Sequence, residues 1–267
     1  MAFVKTRIDS SLALLTLTDG REGNRLNLER LEELSSSMDA AFDDKNVRVV
    51  LLRSNGPAFC LGMDLERLMA NQAEKHLEEA VSLYSSLLIG IIEAPKPVIA
   101  LVQGDVKAGG VGLAAACDIV VTADDASFEL PEVFLGLIPA NVLPFLLLLR
   151  MTPSKARYVT LTGKKLQAEE ARLCGLADEV FPRQDLEKEL KSIIKRLMRA
   201  SPQALARIKR FTGEMISEML RKKCGEARKE LIELVNDEKV AAAIKSFLNG
   251  GTPPWFVKFR PEKSLVE

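Results

Sequence analysis

The apolar positions of this chain follow two regimes. In the first half, short continuous apolar runs alternate with stretches of helical spacing. Leu12–Thr18, Val47–Leu52, Pro97–Val102 and Asp118–Thr122 are rich in Val, Ile, Leu and Thr and bounded by turn residues, which predicts buried strands. Ala126–Leu130 reads as a short further strand. Leu28, Leu31, Leu34, Met38 and Phe42 recur at helical spacing, which predicts a helix over Leu28–Phe42 with Asn27 as its N-cap. A helix over Glu78–Glu93 ends ahead of Pro95 and Pro97. Gly109-Gly110 opens a small-residue helix, Val111–Ala116. This alternation predicts an α/β core with crossover connections. From Asn141 onward the pattern turns helical: Val142–Leu149, Ser154–Leu161, Ala168–Leu173, Leu186–Met198, Gln203–Leu220 and Glu226–Val235. Ser201-Pro202 is a helix start. The chain accordingly divides into a core, 1–200, and a helical region, 201–267.

Composition narrows the function classes. With 267 residues, 47% of them hydrophobic, the chain supports one large core and a small satellite. The 37 basic and 37 acidic residues cancel, so nothing favours a nucleic-acid partner. No apolar run reaches the roughly 18–20 residues of a membrane helix. The start shows no charged stretch followed by an apolar one, so a cytoplasmic protein is expected. Cys60, Cys117, Cys174 and Cys224 are far apart and read as reduced thiols. The only histidine, His76, lies in the polar stretch Asn71–Glu79, which reads as a solvated helix start. With no close-spaced ligand cluster, no metal or other cofactor is expected.

Three segments carry candidate chemistry. They are Phe59–Asp64 after the second strand, Gly104–Gly112 after the third, and Ser127–Glu132 followed by Gly136 and Ile138-Pro139. Glycines at a strand-to-helix junction let backbone approach a ligand. The first amides of a helix lack an intrahelical partner and carry partial positive charge. Such amides stabilise a developing enolate oxygen. Gly109-Gly110 fit that role and fit plain close helix packing equally well. The phosphate-binding glycine spacings are absent. Asp64 reads as a cap for Leu65–Met69, and Cys60 as a packing residue.

Taken together, these segments resemble the enoyl-CoA hydratase/isomerase (crotonase) superfamily. Asn24-Arg25-Leu26-Asn27 is similar to its Asn-Ala-Leu-Asn stretch, Phe59–Asp64 to its Phe-x-Ala-Gly-x-Asp loop, and Ala108–Asp118 to its Gly-Gly-Gly helix ending in Cys-Asp. Pro131-Glu132, Gly136-x-Ile-Pro and Ala168–Val180 also match its pattern. The resemblance implies an α/β spiral of ββα units with a helical C-terminal trimerisation region, assembled as a homotrimer or a dimer of trimers. It implies an oxyanion hole from the amides of Met63 and Gly109, flanked by Leu61, Gly62 and Gly110. The family's two acid–base glutamates fall at Gly112 and Glu132, so only the second is kept.

A narrower resemblance is to the dehydratase branch of polyketide β-branching cassettes, through Ala126-Ser127-Phe128, Gly136–Leu146 and Gly250–Trp255. That branch implies dehydration of a 3-hydroxy-3-methylglutaryl group on an acyl carrier protein, with CoA as the other possible carrier. Lys107 and Asn141 depart from the branch pattern. Lys107 is expected to attract the distal carboxylate, or to be a surface lysine. Asn141 is expected to bind the leaving hydroxyl or to N-cap the next helix. The competing expectations are a Δ3-Δ2 enoyl-CoA isomerase, a hydratase of another unsaturated acyl-CoA, and a non-catalytic acyl-binding protein.

Overall fold

The computed structural model describes residues 2–70, 73–258 and 260. The chain enters through a hairpin, β1 (Val4–Asp9) and β2 (Leu12–Leu17), and then forms α1 (Leu28–Asp43). Three spiral turns follow, each giving one strand to a large sheet and one to a small sheet. The first is β3 (Val49–Ser54), β4 (Ala58–Cys60), α2 (Leu65–Ala70) and α3 (Ala73–Glu93). The second is β5 (Val98–Val102), β6 (Asp105–Lys107) and α4 (Gly109–Ala116). The third is β7 (Ile119–Ala123), β8 (Ser127–Glu129) and a 3-10 turn, Glu132–Leu135. Then come α5 (Leu143–Phe145), α6 (Pro153–Thr162), β9 (Leu166–Gln167), α7 (Ala168–Leu173), β10 (Glu179–Phe181), α8 (Leu186–Arg199), α9 (Pro202–Val235) and α10 (Glu238–Leu248).

The large sheet has the order β1-β2-β3-β5-β7-β10 and the small one β4-β6-β8-β9. Strands β2, β3, β5, β7 and β10 run parallel, which explains their unbroken apolar character: both faces are covered. Val50, Leu52, Val98, Ala100 and Val120 face the main core. Their neighbours Val49, Leu51, Ile99, Leu101 and Val121 face a second cluster closed by Leu186 and Leu190 of α8. Helix α4 lies inside the molecule, with all eight residues buried. A helix apolar all round has no other place. The expected cap of α1 is present, with Arg30 N donating to Asn27 Oδ1 at 2.9 Å.

Three expectations need correction. The edge strand β1 carries one buried residue among six, so periodicity gave no signal for it. Gln203–Leu220 and Glu226–Val235 are one helix, α9, of 34 residues. The intervening Arg221–Gly225 carries three cations and a glycine, which break the apolar stripe without ending the helix, since Cys224 is buried against the main core. Val142–Leu149 is not a regular helix: α5 widens into a π turn, Leu146–Arg150, closed by Met151 N to Leu146 O at 2.7 Å. Helix α9 lies along α3, and its Leu220 and Cys224 belong to the main core. No helix among the described residues is long and apolar enough to cross a membrane.

Candidate active site

A cavity of about 560 Å³ opens where the ends of the small-sheet strands meet the start of α4. That size suits a small-molecule ligand. Its walls are largely apolar, from Leu77 and Val81 of α3, Leu135 and Ile138, and Leu231 and Phe247 of the two last helices. The region after residue 201 therefore closes the site as well as the core.

One pole of the cavity is backbone. The Leu61–Met63 turn is pinned by Leu61 N to Gly23 O at 2.9 Å, Leu26 N to Gly62 O at 2.8 Å and Asp64 N to Leu26 O at 2.7 Å. This turn presses on the β6–α4 junction. A Cβ on Gly62, whose φ is +83°, would lie 2.8 Å from Ala108 Cβ and 2.9 Å from Gly109 N. Ala108 itself holds φ 48° and ψ −123°, a conformation that disfavours side chains. Among the described residues, no protein group accepts the amide hydrogen of Met63 or of Gly109. Two unsatisfied donors thus sit in adjoining segments beside one cavity.

Leu61, Met63, Lys107, Gly109, Glu132 and Asn141 all line that cavity. Gly62 and Gly110 do not. Gly110 faces backward, where a Cβ would fall 2.0 Å from Cys60 O. Its lack of a side chain lets α4 touch β4, so direct ligand contact by these two glycines is not what the structure shows. Asp64 meets its expectation, accepting from Arg67 N at 3.3 Å. Burial pushes the Cys60 thiol up to about 12, which leaves it inert. His76 is exposed on α3.

The other pole is Glu132, the first residue of the 3-10 turn. Its Oε2 is buried and has no hydrogen-bond partner among the described residues. Burial pushes this carboxyl up to about 7, and the neighbouring charge of Glu129 pushes the same way. A carboxyl so poised exchanges protons at neutral pH, as general acid–base work requires.

Two expectations about the pocket wall change. Lys107 is not a free cation awaiting a substrate carboxylate: its Nζ is 2.8 Å from Glu129 Oε2. The two residues are register partners on β6 and β8, which sets them side by side. Asn141 caps no helix. Its Nδ2 donates to Val81 O at 2.9 Å, and its buried Oδ1 has no partner among the described residues. Gly112 carries no carboxylate, and the space above it is filled: a Cβ there would lie 2.5 Å from the hydroxyl of Tyr84. Sequence reasoning passed over Tyr84. It lies on the same face of α3 as Leu77 and Val81, where an aromatic residue reads as core.

Known proteins resemble this chain in sequence and fold. The profile of the enoyl-CoA hydratase/isomerase family matches residues 7–258. Bacillaene synthase dehydratase PksH of Bacillus subtilis is 29% identical over 254 residues, covering 94% of this chain and 96% of that protein. Its solved structure, described as a polyketide biosynthesis enoyl-CoA hydratase, aligns with TM-score 0.84 at 26% identity, covering 94% of this chain and 98% of that one. The 2,3-dehydroadipyl-CoA hydratase of Escherichia coli is 31% identical over 242 residues, covering 90% of this chain and 93% of that protein. A crystal structure of an enoyl-CoA hydratase from Mycobacterium avium paratuberculosis aligns with TM-score 0.87 at 30% identity, covering 96% of this chain and all of that one.

Proposed function

Since this chain belongs to the enoyl-CoA hydratase/isomerase family, whose members act on acyl thioesters, we propose that it dehydrates a 3-hydroxyacyl thioester, 3-hydroxy-3-methylglutaryl-acyl carrier protein, to the 3-methylglutaconyl thioester. The observation that carries this reading is a site with one neutral-range carboxyl, Glu132, opposite two unsatisfied amides. Similarity to the Bacillus dehydratase supports the choice of substrate.

The chemistry follows from those groups. The thioester oxygen accepts from the Met63 and Gly109 amides. Ionised Glu132 takes the proton from C2, and the electron pair is held as the enolate. The enolate re-forms the thioester carbonyl as the C2–C3 double bond forms and the C3–O bond breaks. The same carboxyl returns its proton to the departing hydroxide, which leaves as water. One carboxylate thus serves as base and then as acid, with no net change in the enzyme. Asn141 lines the cavity and its Oδ1 has no partner among the described residues, which supports it as the acceptor for the 3-hydroxyl.

The acidic partner of Lys107 bears on the distal carboxylate. Glu129 neutralises the lysine, so a substrate carboxylate must share it. A second reading, a Δ3-Δ2 enoyl-CoA isomerase, rests on the same single carboxylate, which would move a proton between C4 and C2. An apolar stripe on α9 (Ile208, Phe211, Met215 and Met219) is exposed in the single chain and supports assembly with further copies, as a homotrimer or a dimer of trimers.

Mass spectrometry of 3-hydroxy-3-methylglutaryl carrier protein, incubated with wild-type and Glu132→Gln protein, tests the proposal. Loss of one water with the wild type alone is the expected result. No loss, together with migration of the double bond in a 3-enoyl-CoA, would replace the dehydratase by the isomerase.

A further inference from the structure

The junction that presents the Gly109 amide is the loosest kind of backbone. Gly109 and Gly110 have no side chains to hold them, and Ala108 sits in a disfavoured conformation. Something must fix it. On one side Ala108 N donates to Glu129 O at 2.9 Å. On the other side the Tyr84 hydroxyl donates to Gly109 O.

Tyr84 is well suited to that task. Tyr84 is 2% exposed and belongs to the main core, so packing fixes its ring. Helix α3 carries it across the face of α4, with the ring end 3.6 Å from where a Cβ on Gly109 would lie. The phenol therefore holds a carbonyl in the first turn of α4. Burial keeps it neutral by raising its titration well above the ordinary phenol range, so it remains a donor.

Gly112 makes this possible. A Cβ at 112 would meet the Tyr84 oxygen at 2.5 Å, Val142 Cγ2 at 3.0 Å and Leu88 Cδ1 at 3.4 Å. Any side chain there competes with the phenol for one space. Tyr84 also borders the cavity and feels the charge of Glu132.

We infer that Tyr84 is a positioning residue for the thioester-oxygen site, its hydroxyl holding the Gly109 carbonyl and with it the first turn of α4 that the Gly109 amide leads, and that Gly112 leaves the space for that hydroxyl. The inference rests on the reading that the Gly109 amide receives the thioester oxygen. It does not depend on which acyl group is processed.

The test uses a 3-oxoacyl thioester, acetoacetyl-CoA, whose enolate has its own ultraviolet band. A working oxyanion site shifts the bound thioester toward the enolate. Wild-type protein is expected to generate the band. Tyr84→Phe, which keeps the ring and the packing, is expected to weaken it and to lower kcat about tenfold with KM unchanged, the scale of a misplaced donor. Gly112→Ala is expected to cause a similar loss by displacing the phenol, and to add little in the Tyr84→Phe background. A Tyr84→Phe protein with an undiminished enolate band overturns the inference. So does a double variant whose losses multiply. Absence of the band in the wild type instead overturns the underlying assignment of the Gly109 amide. If Gly112→Ala fails to fold, the band in Tyr84→Phe alone decides.

Discussion

The two ends of α4 are built on opposite terms. At its C-terminal end every charge is answered. Asp118 Oδ2 accepts from Lys209 Nζ at 2.5 Å and from Val98 N at 2.7 Å. Arg150 donates to the carbonyls of Ala115 and Cys117 and pairs with Asp178 at 2.9 Å. Cations and donors at the negative end of a helix are the favourable arrangement. At its N-terminal end, among the described residues, the amide of Gly109 lacks an acceptor and the buried Oε2 of nearby Glu132 lacks a partner, while Ala108 is strained. A saturated end anchors the helix. An unsaturated end leaves free energy that a bound acceptor oxygen would recover. Strained and unsatisfied groups survive where the surroundings over-determine them, and the anchored end is part of those surroundings.

The largest effect that sharpens this contrast is at the open end. Glu132→Gln is expected to lower kcat about 10³-fold, within the range for a positioned acid–base group. Single-turnover measurement of water loss checks it. In wild type, kcat/KM is expected to fall as pH drops below about 7, because the C2 proton needs the ionised carboxylate. Removing the charge of Glu129 in Glu129→Gln takes away one cause of that raised value. The acid limb of the pH profile then moves to lower pH. An unmoved limb would remove Glu129 from the electrostatics of the site.

At the closed end the effect is on stability. Lys209→Met strands Asp118 without its cation, and breaking a buried pair from one side costs about 3–5 kcal/mol. The lower part of that range is expected, since the Asp118 side chain is 28% exposed and keeps the Val98 amide. Urea unfolding measures the loss, and the folded fraction should retain wild-type KM. Glu132→Gln behaves in the opposite sense. The carboxyl titrates near 7 when folded against 4.5 ordinarily, so the folded state favours its proton. No penalty exists below about pH 4.5. It grows between about 4.5 and 7 and is complete above, reaching on the order of 3 kcal/mol. The glutamine variant is therefore expected to be more stable than wild type at pH 8 and equal to it at pH 4. A gain independent of pH would mean that burial of charge is not its cause.

Part of this contrast is legible in the sequence. Gly109-Gly110 after an apolar strand marked a place where backbone could meet a ligand, because glycine pairs and helix starts carry their physics locally; it was the family resemblance that chose this over close packing and singled out Glu132. Asp118 and Lys209 were not linked, since 91 residues separate them and only the packing of α9 on α3 joins them. Lys107 and Glu129 form a pair only through the register of β6 and β8, strands too short for periodicity to align. Tyr84 was hidden because an aromatic on an apolar helical stripe looks the same whether its hydroxyl holds a backbone or merely avoids water. The missed features share one cause: each depends on a partner distant in sequence.

The smallest effect tests whether the open end is strained at all. Ala108 adopts φ 48° and ψ −123°, where a Cβ collides with its own backbone and costs about 1–3 kcal/mol. Glycine has no such cost there. Replacing alanine by glycine in a relaxed position destabilises by roughly 0.5–1 kcal/mol, through the entropy of the unfolded chain. If the strain is present, Ala108→Gly reverses that sign and stabilises by about 1 kcal/mol, seen as a raised Tm. The hydroxyl of Tyr84 and the Glu129 carbonyl still hold the junction, so kcat should change less than the stability does. A lowered Tm would place Ala108 among ordinary alanines and would leave the unmatched amides and Glu132 as the only cost carried by that end of the helix.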